Sequence, residues 1–287
     1  RCHISRDKSW SGCVSRRPSD TDCVAFREQN GTVTHLSINL NKVALIRNAR
    51  DTAHPEPTEF ARLVIRAGAH GITVHPRPDQ RHIRASDCIH LGETRTTELN
   101  LEGNPFAASR RSDRAGVGDY PGFLALVEKV RPDQVTLVPD SDNQLTSDHG
   151  FDIGRNGESL QPVIEQLKSW GCRVSLFMDP DPEQIELVGA LGADRIELYT
   201  ESYAKAHDKG EADTELSRFQ IAATAATAAG LGINAGHDLN LENLPNFRIR
   251  ELLEVSIGHA FTIDALRYGI ENAVHRYLEA LAVSQAH

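Results

Sequence analysis

Between about residues 33 and 260 the chain alternates two hydrophobic periodicities. Four segments, RAGAHGITVH (66–75), SWGCRVSLFMD (169–179), ALGADRIELYT (190–200) and AAGLGINAGH (228–237), each leave a helical stretch through a glycine and enter a short apolar run. The glycine supplies the left-handed residue that ends a helix. Runs rich in Val, Ile and Leu with few charges are those of parallel strands covered on both faces. THLSINLN, TELNLEG, QVTLVPD and LEVSIGHA complete a set of eight strand candidates. Between the runs, apolar residues recur at helical spacing, as in Phe60, Leu63, Val64 and Ala67, or Leu160, Val163, Ile164 and Leu167. Asp181-Pro182-Glu183 reads as an N-cap followed by Pro at the first helical position.

Eight strands alternating with helices predict an α/β fold, a single-domain (β/α)8 TIM barrel with extra loop and helical segments over residues 33–287. Right-handed crossovers leave few other topologies. The competitor is an open doubly wound sheet, whose G-x-G-x-x-G fingerprint after the first strand is missing. Two segments that follow strands are long and polar: 103–122, with Arg110, Arg111 and Arg114, and 139–158, with Thr146 and His149. Loops of that length are functional lids or disordered insertions. Both readings stay open for the first, and the second, anchored at both ends by predicted elements, is expected to be a lid.

Composition narrows this picture. A formal net charge of −9 argues against a nucleic-acid surface spread over the protein, since counterion release rewards clustered Lys and Arg. A few local arginines would still suffice for small anions. No apolar run approaches the ~20 residues that span a bilayer, so no membrane partner and a cytoplasmic location are expected. The first 32 residues are rich in Arg, Ser and Asp, lack periodicity and do not begin with Met, and are expected to be a disordered or added tail. An organellar transit segment is weakened by Asp7, Asp20, Asp22 and Glu28, and initiation near Val33 is a further reading. The five cysteines contain no C-x-x-C pair, so neither a zinc site nor a disulfide framework follows.

Barrel active sites are built at the carboxyl ends of the strands, and here those ends are polar. They carry Asn39, Asn41 and Lys42; His75 and Arg77; Glu102; Asp140; Asp179; Glu197 and Thr200; Asn234 and His237; and Gly258 and His259. Asn39 and Asn41, two apart, would face the same way in an extended strand. His75 would sit between a dry barrel interior and a wet mouth, where a histidine pKa is easily tuned; the plain alternative is a surface histidine beside a Pro-rich turn. Arg77, Arg81 and His82 make a basic cluster suited to phosphate or carboxylate, or else a solvated loop. Glu102 can act as a base or orient a histidine, or simply begin an exposed loop. In NAGH, Gly236 lets backbone approach a ligand beside His237, and SIGHA repeats the Gly-His pair on the next strand, where barrels commonly seat phosphate. His75, Glu102, Asp179, His237 and His259 could converge on a metal, yet neither H-x-H on a strand nor H-E-x-x-H on a helix is present.

The stretches NxNKxALIRNAR (39–50), AGAHGITVHPRPDQRHI (67–83), NLEG (100–103), VTLVPD with QLTSDHG downstream, VSLFMD, IELYT, NAGH and IGHA together resemble the pyridoxine 5'-phosphate synthase family, from about Leu36 to Tyr277. The resemblance implies a barrel that condenses 1-deoxy-D-xylulose 5-phosphate with 3-amino-2-oxopropyl phosphate, releasing phosphate and water. It implies no metal or organic cofactor and a homo-octamer. By motif, His75 and Glu102 would accept protons and His237 would donate one. Asn39 and Arg50, helped by Gly258 and His259, would hold the amino-ketone phosphate, and Arg77, His82 and Thr146 the deoxyxylulose phosphate.

Three departures bear on the ligand contacts. Asn41-Lys42 stands where the best-known members have Asp-His, Asp238 stands where many have Gly, and the segment after Gly103 is longer than in the shorter members. Asn41, Lys42 and Asp238 are therefore expected at the substrate but with altered contacts. Two other functions fit the same residues: a catalytically silent barrel that binds phosphorylated metabolites, and a metal-dependent hydrolase.

Overall fold

A computed structural model of the protein describes residues 33–50, 52–142 and 144–285; the expected tail at 1–32 lies outside the described residues. Eight strands close into one barrel in chain order: β1 (His35–Asn39), β2 (Gly71–Val74), β3 (Glu98–Gly103), β4 (Gln134–Leu137), β5 (Arg173–Met178), β6 (Arg195–Tyr199), β7 (Gly232–Gly236) and β8 (Leu252–Ile257). Neighbours pair in parallel, and β1 pairs with β8, which closes the sheet and excludes the open doubly wound alternative. Helices α1 (Asn41–Asn48) and α2 (Pro57–Arg66) follow β1, α3 (Ala85–Thr94) follows β2, and α4 (Phe123–Val130) follows β3. Then come α5 (Ile153–Ser169), α6 (Pro182–Ala190), the pair α7 (Glu201–Asp208) and α8 (Ala212–Ala228), and finally α9 (His259–Tyr268) and α10 (Ile270–Gln285).

The local signals act as expected. Gly68, Gly171, Gly192 and Gly230 have positive φ where helices give way to strands. Asp181 caps α6 by accepting from the amides of Glu183 and Gln184 at 3.0 and 3.4 Å. Among the described residues no helix is long and apolar enough to cross a membrane.

Strand alternation sorts the residues into two sets. Leu36, Ile38, Ile72, Val74, Leu99, Leu101, Val135, Leu137, Val174, Leu176, Ile196 and Leu198 are buried against the helices. The opposite parity is largely polar, so the dry interior expected beside His75 is not what forms. Across the middle of the barrel, Ser37 Oγ lies 2.8 Å from Thr73 Oγ1, Asn100 donates to Thr73 Oγ1 at 3.4 Å, and Thr136 donates to Asn100 Oδ1 at 3.2 Å. Below them, Arg173 pairs with Glu98 and bonds Gln134 at 2.8 Å, while Arg195 lies 3.6 Å from Glu254. Above them, at the strand ends, stand the candidate site residues.

The segment 103–122 is an ordered flap rather than a disordered insertion. Arg110 and Tyr120 pair in an antiparallel bridge, and Gln80 Nε2 donates to the Gly118 carbonyl at 2.8 Å. Beneath it α1 supplies a clamp that the sequence analysis did not single out. Arg47 meets Asp87 through two hydrogen bonds, at 2.6 and 2.9 Å, and its Nε donates to Asn48 at 3.0 Å. Asn48 Nδ2 in turn faces three successive carbonyls, those of Gln80, Arg81 and His82, at 3.3, 3.1 and 2.7 Å. This fixes the backbone of the loop that carries Arg77 and His82.

Removing one partner of a buried, hydrogen-bonded ion pair strands the other charge, at a cost of about 3–5 kcal/mol. Arg47→Met is therefore expected to destabilise the protein on that scale. Arg47→Met with Asp87→Leu should recover part of the loss in urea unfolding, short of full recovery because Asp87 also accepts from the Arg84 amide at 2.8 Å. Additive losses in the double variant would refute the stranded-charge account.

Candidate active site

At the first strand end the chain turns at once from β1 into α1. Asn39 and Asn41 thus do not share a strand face, as extended spacing had predicted, because Asn41 is already the first residue of the helix. They are brought together differently. Asn39 Oδ1 accepts from the Asn41 amide at 2.9 Å, Asn41 Oδ1 accepts from the His75 amide at 2.9 Å, and Asn39 Nδ2 reaches Glu102 Oε2 at 3.4 Å. The result joins β1, β2 and β3. Within it His75 Nδ1 lies 3.8 Å from Glu102 Oε2, with both side chains nearly buried.

That pair is not an ion pair at neutral pH. Burial, then the charges of Arg77, His82 and Arg81, hold the His75 imidazole well below its usual pKa. Burial, then the charges of Asp140 and Glu254, push the Glu102 carboxyl above the carboxylate range. The proton therefore rests on the acid and the imidazole is neutral. Glu197 is likewise raised well above the carboxylate range by burial and by Glu102 itself, and Glu254 below is raised by burial and by Glu98.

The basic cluster after β2 faces the segment 139–158. Arg77 donates to Asp140 at 2.5 Å and to the Gln144 carbonyl at 3.2 Å, and Arg81 donates to the carbonyls of Gln144 and Asp142 at 3.1 and 3.0 Å. Asp140 also accepts from Ser147 at 2.7 Å. His82 is buried, and burial with the charges of Arg77 and Arg81 drops its pKa to about 3. Lys42 adds to that depression from α1.

The far end of the same segment reaches β7. Thr146 Oγ1 lies 2.9 Å from His237 Nε2, and His237 Nδ1 lies 3.1 Å from Asp238 Oδ2. The imidazole stands edge-on to Tyr199, with ring centroids 5.0 Å apart. A Cβ at Gly236 would run into Glu197 Oε1, so a side chain there requires that buried carboxyl to move. Gly258 caps α9 hard against Asn39, and His259 opens that helix. Both line an open cleft of about 510 Å3 together with Asp238, Lys205, Ser256 and Arg267.

Other sequence candidates serve the scaffold. Asp179 accepts from the Gly150 amide at 3.1 Å, anchoring the base of the 139–158 segment, and Thr200 donates to the Gly236 carbonyl at 2.8 Å. Arg50 lies exposed beyond the end of α1 and is not brought to this cluster. Among the described residues no three His, Cys, Asp or Glu side chains are grouped to hold a metal ion.

A family model described as pyridoxal phosphate biosynthesis protein PdxJ matches residues 36–283. The chain belongs to this family. A pyridoxine 5'-phosphate synthase from Xanthomonas campestris pv. campestris (strain B100) is 55% identical over 254 residues, covering 87% of this chain and 96% of its own. One from Xylella fastidiosa (strain M23) is 51% identical over 253 residues, covering 86% and 95%. Solved barrels resemble the fold alone. The 3-keto-L-gulonate-6-phosphate decarboxylase from Vibrio cholerae has a TM-score of 0.57 at 9% identity, covering 88% of this chain and 100% of its own. Tryptophan synthase subunit alpha from Legionella pneumophila has a TM-score of 0.53 at 13% identity, covering 91% and 96%. Within the PdxJ family frame, Asn41 is held without charge, its amide donating to the Asn39 side chain and its own side chain accepting from the His75 amide.

Glu197 sets a pH test. Its folded pKa is raised from the ordinary 4.5, so the folded state keeps a proton that the unfolded chain releases. Stability is then lost as pH climbs from about 4.5 toward the raised value. Glu197→Gln, neutral throughout, should lose less stability between pH 5 and pH 8 in urea titrations. Parallel losses in parent and variant would refute the buried neutral acid.

Proposed function

We propose that the chain is a pyridoxine 5'-phosphate synthase that condenses 1-deoxy-D-xylulose 5-phosphate with 3-amino-2-oxopropyl phosphate, without metal or organic cofactor. Family membership makes it an enzyme of pyridoxine biosynthesis. The observation that carries the finer reading is the arrangement at the mouth: His75 3.8 Å from Glu102 where burial disfavours charge on both, and His237 held between Thr146 and Asp238.

Schiff-base formation, enolisation and dehydration each move protons around a substrate that stays in place, and need acceptors and donors that change state near neutrality. His75 is the ready acceptor, because burial, and then the cations around it, keep its lone pair free. Glu102 starts with a proton and becomes an acceptor once a cationic group, such as the substrate ammonium, offsets the charges of Asp140 and Glu254. His237 supplies protons from the opposite side. The phosphate esters would be held by Arg77, His82 and Thr146 at one end and by Asn39, Gly258 and His259 at the other, their binding energy serving to position the reacting carbons. Arg77 is already engaged by Asp140, so the incoming anion would share or displace that carboxylate. Lys42 and Asn41 complete the proposed substrate contacts, in a cytoplasmic homo-oligomer.

Metal-stripped protein given both substrates should release phosphate and form pyridoxine 5'-phosphate. His75→Ala is expected to lower kcat by about 10²–10⁴ with little change in KM, because a proton carrier acts in the transition state. His237→Ala should be similarly impaired. A folded parent that binds either ester but turns neither over would make it a phosphometabolite-binding barrel, and recovery of turnover only on adding a divalent cation would favour the metal-dependent hydrolase chemistry.

A further inference from the structure

His237 has two nitrogens with different partners, and only one of those partners has a fixed character. Thr146 Oγ1, 2.9 Å from Nε2, is a hydroxyl that can donate or accept. Asp238 Oδ2, 3.1 Å from Nδ1, belongs to a carboxyl whose pKa is held low first by the bond from His237, then by the charges of His237, His259 and Lys205. An ionised carboxylate only accepts, so Nδ1 must carry a proton. Nε2 is then left as the exchangeable position, turned toward Thr146.

We propose that Asp238 is a positioning residue for His237: its carboxylate fixes the imidazole proton on Nδ1, presents Nε2 to the mouth, and makes the proton-delivering form the imidazolium. Its proton-delivery part rests on the synthase reading above. A neutral imidazole with this tautomer has no proton to give from Nε2, so donation there requires the cation.

The backbone explains how an aspartate comes to hold this place. Asp238 has φ +61°, a left-handed conformation that glycine adopts freely and that Asp and Asn tolerate better than other residues. Its carbonyl is held by Asn243 Nδ2 at 3.1 Å. A glycine here keeps the turn and loses only the carboxylate, and an asparagine keeps an acceptor oxygen and loses the charge. The other charged groups around the pair stay in place: Lys205 and Glu201 on α7, 2.8 Å from each other, His259 at the start of α9, and Asp148 beside His149.

The test is nitrogen NMR on 15N-histidine-labelled protein, with His237 assigned by its loss in His237→Gln. In the parent, neutral His237 should be protonated on Nδ1. Asp238→Asn, whose amide oxygen can still accept from Nδ1, should keep that tautomer. Asp238→Gly should shift toward the Nε2–H tautomer, with a thermal midpoint no lower than the parent's. Turnover should fall in Asp238→Gly with KM little changed, and Asp238→Asn should retain more of it. An unchanged tautomer in Asp238→Gly overturns the proposal. If the tautomer shifts and kcat stays put, Asp238 orients His237 as inferred and it is the proton-donor role of His237 in the synthase reading that fails.

Discussion

A closed parallel barrel gives every strand one face toward the helices and one toward the axis, and in this chain the axial face is polar. Ser37, Thr73, Asn100 and Thr136 cross the interior as a chain of hydrogen bonds, with charged Arg173, Arg195, Glu98 and Glu254 below. Buried polar groups are costly unless partnered. The strand register that satisfies them is therefore the register that also sets His75, Glu102 and Gly236 at one level of the mouth. A slip by one residue would turn Thr73 and His75 outward together and bring Val74 to the axis.

The same polar interior governs protonation. Glu102, Glu197 and Glu254 lie close enough for each to raise a neighbour's pKa, and burial raises all three. Like charges at such separation in a low dielectric cannot all ionise. Protons are retained inside the barrel at a pH where free carboxyls would have lost them. Burial, reinforced by the cations of the β2 end, acts oppositely on His75 and His82 and empties both imidazoles. Acid and base are thus separated by environment rather than by residue type, which is the condition acid–base chemistry at neutral pH requires.

Much of this was legible. The glycines that end helices before β2, β5, β6 and β7 announced the barrel, and once a barrel was expected the strand ends placed His75, Glu102 and His237 at its mouth. The failures have local causes. Asn39 and Asn41 were paired by strand geometry, but the chain enters α1 immediately after Leu40, and their relation is instead made by side chains bonding backbone. The polar interior was available in the alternation of Ser37 with Asn39, Thr73 with His75 and Asn100 with Glu102, yet apolar neighbours of opposite parity made the strands read as uniformly buried. Arg47 and Asn48 sat inside the RNAR stretch, where nothing in helical spacing shows that they hold carbonyls of a loop more than thirty residues away. Long-range side-chain to backbone bonds leave no periodic trace.

Strain marks where the scaffold hands over to the site. His237 and Asp238 both lie at positive φ, 83° and 61°, and for residues with a Cβ such conformations cost about 1–3 kcal/mol each. Two consecutive residues do not hold this shape by their own preference. Thr200 fixes the turn from β6 by donating to the carbonyls of Gly236 and His237, and buried Asn243 fixes it from beyond by donating to that of Asp238. Tyr199 closes the side facing the interior. The imidazole direction is therefore set by backbone that Thr200 and Asn243 constrain and by the Tyr199 ring beside it, which leaves the ring little freedom except in its protons. In the proposed acid–base site, that is the one freedom the histidine has to keep.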